Sequence, residues 1–218
     1  DRIRAMVFTA EGLDHFSASM DLKQVPEGIE RAGSPEAFFR QRYRVLSMIE
    51  NGGTPAIATM FGFCLGAGLE LPLACHFRIA ADTGARSGLP EMDLGSVPAW
   101  GGSARLPRAV GRARAIDMIL RGRKIDGAEA HRIGVVTELV PLKAIGLALG
   151  RWARNSLRSL GRRRAPCLVC WSVTRRRRST NRWRTRWQPS LPIGVRRIPG
   201  KRCERFLEKR KPVFDREL

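Results

Sequence analysis

Short, continuous apolar runs alternate along this chain with stretches of helical spacing, and that alternation restricts its fold more than any other feature. The runs fall at residues 3–9 (IRAMVFT), 56–60 (AIATM), 77–81 (FRIAA) and 135–140 (VVTELV). Apolar runs this short suit strands covered on both faces, and strands alternating with helices suit a parallel sheet. The expected class is α/β with a mostly parallel sheet. Ser34-Pro35 supplies an N-cap and a proline at the first helical position. It predicts a helix running to Glu50, with Phe39, Leu46 and Ile49 on one face and Asn51-Gly52-Gly53 as its stop. Further helices are expected over residues 69–75, over 104–121 with breaks near Pro107 and Gly111, and over 128–133 before Gly134. Residues 15–22 (HFSASMDL) and 88–102 read as loops, the second rich in Gly and Pro and ordered.

Net charge tests this reading, because +20 on 218 residues points at face value to nucleic acid or an anionic surface. The charge is not spread evenly. Residues 139–203 hold 18 Lys plus Arg and no acid, whereas the other 153 residues carry 22 basic and 20 acidic side chains. The charge therefore describes one segment, not the domain. Residues 151–203 contain 16 Arg and four of the five Trp, and neither helical nor strand periodicity is expected to survive there. The organisation read from this is a core over 1–141, an Arg/Trp-rich segment over 142–203 and an ordinary tail over 204–218. No run of 18 apolar residues supports a membrane span, and the first residues resemble no secretory signal. Five scattered cysteines make no disulfide framework, so the expected compartment is a reducing cytoplasm. Without a starting Met, the chain reads as a fragment at its N-terminus.

Two glutamates carry the chemistry. Glu70 follows the turn Gly66-Ala67-Gly68 by about half a helical turn, and Glu91 lies in Gly88-Leu89-Pro90-Glu91. A glycine turn entering a helix leaves backbone N–H groups that stabilise negative charge developing on an oxygen. Small residues there let a substrate approach the main chain closely. A second carboxylate beside Glu70 would complete an acid/base pair around one substrate. From spacing alone a surface role for both glutamates stays open.

The stretch from Pro55 to Cys75 (PAIATMFGFCLGAGLELPLAC) resembles the signature of the crotonase, or enoyl-CoA hydratase/isomerase, family. So do residues 88–106 (GLPEMDLGSVPAWGGSARL), 15–22, 122–136 and, at the C-terminal end, 206–214 (FLEKRKPVF). The resemblance implies a ββα superhelix core, with an N-terminal portion of the family fold missing and the C-terminal helical region in doubt. It implies an enzyme acting on an acyl-CoA thioester, with the backbone N–H groups of Met20 and Ala67 as an oxyanion hole. Glu70 would be the base toward water and Glu91 would exchange the proton at the α-carbon. Ala18, Asp21, Gly66, Gly68 and Trp100 would shape or line the substrate site. Both carboxylates together favour a hydratase, a lyase adding water to a 2-enoyl-CoA. An isomerase or another acyl-CoA-processing crotonase is the alternative. No metal or separate cofactor is implied, coenzyme A being part of the substrate. The family assembles as trimers or hexamers.

Departures matter too. Ser19 stands where the family usually has Gly, and if that position needs φ > 0 the loop is strained and the Met20 N–H misplaced. His76, where the family often has Asp, is expected to make a structural hydrogen bond, and His15 and His131 to be loop and surface residues. For the basic segment three readings compete. A shifted reading frame over about 149–203 explains the loss of acids, the Trp excess and the return of family-like text at Glu204. A nucleic-acid arm would use Trp171, Trp183 and Trp187 for stacking. A membrane-surface patch lacks an amphipathic stripe. Cys167 and Cys170 have metal-like spacing without a second pair. A non-functional fragment is the remaining possibility.

Overall fold

All five positions of the central strand, residues 56–60, are buried, as a strand covered on both faces requires. The structure, a computed structural model, describes residue 3 and residues 5–159. The strands in chain order are β1 (Met6–Phe8), β2 (Ala56–Met60), β3 (Phe63–Leu65), β4 (Phe77–Ala81), β5 (Arg86–Gly88), β6 (Ile125–Asp126) and β7 (Glu138–Val140). The helices are α1 (Val25–Ala32), α2 (Pro35–Asn51), α3 (Ala67–Ala74), α4 (Gly102–Val110), α5 (Arg112–Leu120), α6 (Gly127–Arg132) and α7 (Ile145–Ser159).

Strands β1, β2, β4 and β7 form one sheet in that order, and every pair in it is parallel. Strands β3, β5 and β6 form a second sheet, parallel between β3 and β5 and antiparallel between β5 and β6. Successive strands β2–β3 and β4–β5 thus send one member to each sheet. The expected α/β class with a mostly parallel sheet is what the chain adopts.

Alternation along β2 sorts the layers, since successive side chains point to opposite faces. Ala56 and Ala58 pack with Leu46 and Ile49 of α2 and with Ala74 and Cys75 at the end of α3. Ile57 packs on the other face with Ile79, Val140, Ile145 and Ala148, so α7 covers that side. The largest apolar cluster joins Met60 and Leu69 to Leu106, Met118, Ile125 and Val135, which brings α3, α4, α5 and the second sheet together.

Helix α2 starts as its cap predicts: Ser34 Oγ accepts the Ala37 N–H at 3.1 Å, and Phe39, Leu46 and Ile49 are buried. Several expectations need correction. Helix α3 begins at Ala67, two residues before the expected start, because Gly66 already serves as its N-cap. Pro107 does not break α4; Leu106 and Val110 are buried on either side of it, and that packing carries the helix past one missing N–H. The break falls only at Gly111, whose φ of 84° with ψ of 158° is not helical. Helix α1 was not expected. Its signals are Pro26 in the first turn and Gly33 at the C-cap with φ 80°. Of residues 135–140 only the last three form a strand. Helical periodicity does survive past residue 151, since α7 continues to Ser159. Ile145, Ala148, Leu149 and Trp152 make one apolar stripe, and the Trp152 ring lies 4.4 Å from that of Phe77. The readings placed on residues 160–218, including the Cys167–Cys170 pair and the three stacking Trp, lie outside the described residues.

Candidate active site

Helix α3 presents the site because of how its N-terminus is entered. Strand β3 runs into Gly66, whose φ of 55° and ψ of −124° suit only glycine. Gly68, in the first turn, lies against the 15–22 loop so closely that a methyl group on it would sit 2.3 Å from the Ser17 carbonyl oxygen. That loop is held strand-like beside β3: Ser17 N–H donates to the Phe63 carbonyl at 2.9 Å, and Leu65 N–H to the Ser17 carbonyl at 3.0 Å. The predicted residues Gly66, Ala67 and Gly68 are therefore brought against Ser17 and Ser19. Ala18 is exposed on the same loop.

Glu70 is 2% exposed. Its Oε1 accepts two backbone N–H groups, from Trp100 at 2.9 Å and from Gly102 at 2.7 Å. Gly102 opens α4, so the carboxylate sits where that helix dipole favours negative charge. Burial outweighs those bonds and pushes Glu70 up to about 7, against the Gly102 and Trp100 N–H groups and the Arg105 charge, which pull it down. Glu91 lies in a 3-10 turn (Pro90–Leu94) reached from β5. Gly66 N–H donates to the Gly88 carbonyl at 3.0 Å, which ties this stretch to the α3 turn. Burial, and then the negative charge of Glu70, push Glu91 up to about 8. Its Oε2 is buried without a hydrogen-bond partner among the described residues. Glu91 thus feels the charge of Glu70, and both carboxyls are raised towards neutral pH, Glu91 further than Glu70.

The other predicted residues serve the frame around this pair. Trp100 gives Glu70 its backbone N–H while its ring joins Met20, Leu22 and Phe38 in an apolar cluster. Met20 is half-buried there. Asp21 caps the short 3-10 turn Leu22–Gln24, accepting from Lys23 N–H at 3.0 Å and from Gln24 Nε2 at 3.2 Å. His76 makes the expected structural bond, with its Nδ1 accepting the Ala56 N–H at 3.0 Å. His15 Nδ1 accepts the Phe63 N–H at 3.2 Å, and its ring stacks on Phe63. Among the described residues no three His, Cys, Asp or Glu side chains gather closely enough to hold a metal. An open cleft of about 570 Å³ lined by Leu13, His15, Phe63, Arg86 and Lys124, among others, includes neither glutamate.

A family model described as enoyl-CoA hydratase/isomerase matches residues 1–160. The chain belongs to the enoyl-CoA hydratase/isomerase, or crotonase, family. The fatty acid oxidation complex subunit alpha of Shewanella baltica (strain OS185) is 40% identical over 140 residues, covering 64% of this chain and 20% of that protein. The protein of the same name from Shewanella oneidensis is 39% identical over 140 residues, with the same coverage. This chain spans about one fifth of the length of these curated relatives. Among solved structures, an enoyl-CoA hydratase from Bacillus anthracis is 28% identical with a TM-score of 0.65, covering 98% of this chain and 82% of that one. An enoyl-CoA hydratase structure from Geobacillus kaustophilus HTA426 has a TM-score of 0.71 at 24% identity, covering 97% and 80%, a likeness of fold.

Within this crotonase, three charged residues hold the site in place without having been anticipated. Arg105 is 4% exposed; it donates from a terminal nitrogen to the Trp100 carbonyl at 2.7 Å and from Nε to Glu50 at 3.0 Å. It thereby fixes the loop whose N–H groups reach Glu70. Arg78 donates to the Cys75 carbonyl at 2.6 Å and to the Pro72 carbonyl at 3.3 Å, closing the C-terminal end of α3. An Arg one turn into a helix, or just after one, carries no spacing signal that separates it from a solvated surface charge.

Proposed function

We propose that this chain carries a hydratase site that adds water across the double bond of a 2-enoyl-CoA thioester. The observation that carries the reading is the pair of buried carboxyls Glu70 and Glu91, the first pushed by burial to about 7 and the second by burial and the charge of Glu70 to about 8. Hydration needs one group that takes a proton and one that gives a proton, and such a pair offers both at the same pH. Glu70, as carboxylate, takes a proton from water as its oxygen bonds to the β-carbon. The C=C electrons move onto the thioester oxygen as an enolate. The backbone N–H groups of Ala67 and Met20 stabilise that oxygen. The enolate then collapses, and Glu91, as the acid, gives its proton to the α-carbon. One proton has been taken up and one given, and transfer from Glu70 to Glu91 restores the start. Glu91 Oε2, buried and without a hydrogen-bond partner among the described residues, supports this reading of Glu91 as the group that exchanges protons. The fatty acid oxidation named in the curated relatives supports fatty acyl-CoA as the substrate class.

The test is loss of the conjugated-enoyl absorbance of crotonyl-CoA. Glu70→Gln and Glu91→Gln are each expected to slow it by roughly 10²–10⁴-fold. Unchanged turnover in both variants overturns the two-carboxylate mechanism. If Glu70→Gln abolishes hydration but retains migration of a double bond from the 3- to the 2-position, the isomerase reading takes its place.

A further inference from the structure

Ser19 has φ 99°, the one non-glycine residue with positive φ among the described residues. An L-residue pays for that conformation, so something holds it there. Two weak bonds at 3.4 Å link it to Ser17: its N–H donates to Ser17 Oγ, and Ser17 Oγ–H donates to its carbonyl. The result is that Ser19 Oγ points back over the α3 turn. It accepts the Ala67 N–H at 3.3 Å across 48 residues of chain. A methyl group on Gly66 would sit 2.6 Å from Ser19 Oγ and 3.2 Å from Glu91 Oε1, so the hydroxyl stands over the turn beside the Glu91 carboxyl.

We infer that the Ser19 hydroxyl is an internal occupant of the Ala67 N–H, which a thioester oxygen must displace in order to bind. This rests on the proposed role of the Ala67 N–H toward an acyl-CoA carbonyl. The bond is long for an N–H···O contact, and Ser19 is exposed, so rotation about its Cα–Cβ bond releases the donor toward solvent. The displacement precedes chemistry and weighs equally on bound substrate and transition state. It therefore raises KM and leaves kcat alone. Ser19 on this reading sets affinity, and it is not a catalytic residue.

The experiment compares wild type with Ser19→Ala and Ser19→Gly. Both variants remove the hydroxyl, but only glycine also relieves the strain of positive φ, and an exposed position tolerates either. KM and kcat are measured with crotonyl-CoA, and the Kd of the saturated butyryl-CoA by calorimetry. Both variants are expected to lower KM and Kd about fivefold, the worth of one neutral hydrogen bond, and Ser19→Ala, which keeps the positive φ, to leave kcat unchanged. Tightening in Ser19→Gly alone assigns the effect to backbone strain and overturns the inference. Equal affinities in all three proteins, with wild type hydrating, overturn it and leave the hydratase reading standing. Tighter butyryl-CoA binding in both variants without hydration in any protein upholds the inference and removes hydration. No binding of either thioester by any of the three removes both.

Discussion

Burial holds Glu70 near 7, and burial with the negative charge of Glu70 holds Glu91 near 8; two consequences with opposite uses of pH follow at the scale of these residues. On the proposed mechanism, activity needs Glu70 ionised and Glu91 protonated. The kcat/KM profile for crotonyl-CoA is expected to be bell-shaped, rising through about 7 and falling through about 8, values that belong to the coupled pair. A profile flat between pH 6 and 9 contradicts that assignment. Stability goes the other way. Both groups are raised above the ordinary 4.5, so folding favours their protonated forms. Their contribution is fully present below about 4.5 and is lost as pH climbs through about 7 and 8. Glu91→Gln cannot ionise and is expected to unfold at higher urea than wild type at pH 9, with little difference at pH 5. Equal midpoints at both pH values would show that Glu91 titrates normally. Sequence alone placed both glutamates as candidates; it could not supply the repulsion, because that arises from packing residues 21 positions apart in the chain.

At the scale of elements, the site is an arrangement of helix ends. The N-terminus of α3 offers Ala67 N–H and, in its first turn, Glu70; the N-terminus of α4 offers Gly102 N–H back to Glu70. Arg105 binds the second end to the first through Trp100 and is anchored on Glu50 of α2. It is a positioning residue, and its positive charge also lowers Glu70. Arg105→Met is expected to reduce kcat about tenfold at nearly unchanged KM. It should also move the acid limb of the pH profile to higher pH. Arg105→Lys should recover part of both effects. A lower melting temperature with an unmoved acid limb would mean that Arg105 is structural only. The helices themselves were legible where caps and stops are local: Ser34-Pro35 for α2, Gly111 for the α4–α5 break. Helix α1 and the short strands β3, β5 and β6 were not. Two or three residues of strand carry no periodicity of their own and exist because neighbouring strands pair with them.

On the whole-molecule scale, the charge of +20 remains concentrated in residues 139–203, while the family match covers residues 1–160. The two overlap in α7, where Trp152 packs on Phe77 and Arg151 pairs with Glu138 at 2.6 Å, so the basic text is part of the core at its start. The shifted-frame reading predicts that the coding DNA across residues 160–203 contains, in another frame, an acid-containing, helix-periodic text joining cleanly at Glu204. If no frame does so, the arginines are encoded as such. A nucleic-acid arm then predicts binding to DNA or RNA that weakens steeply with salt and is lost on deleting residues 151–203.

What the sequence determined by itself is short-range. Continuous apolar runs required a buried parallel sheet, caps and glycines set most helix ends, and motif order identified the family before any strand was paired. What only the tertiary structure decided is which distant groups meet. Ser19 reaches Ala67 across 48 residues, Trp100 and Gly102 reach Glu70 across 30 and 32, and Arg105 reaches Glu50 across 55. Propensity and periodicity act over a few residues, whereas burial, mutual charge and the occupancy of a single N–H depend on how layers pack. The proton affinity of the two glutamates and the state of the Ala67 N–H therefore belong to the fold.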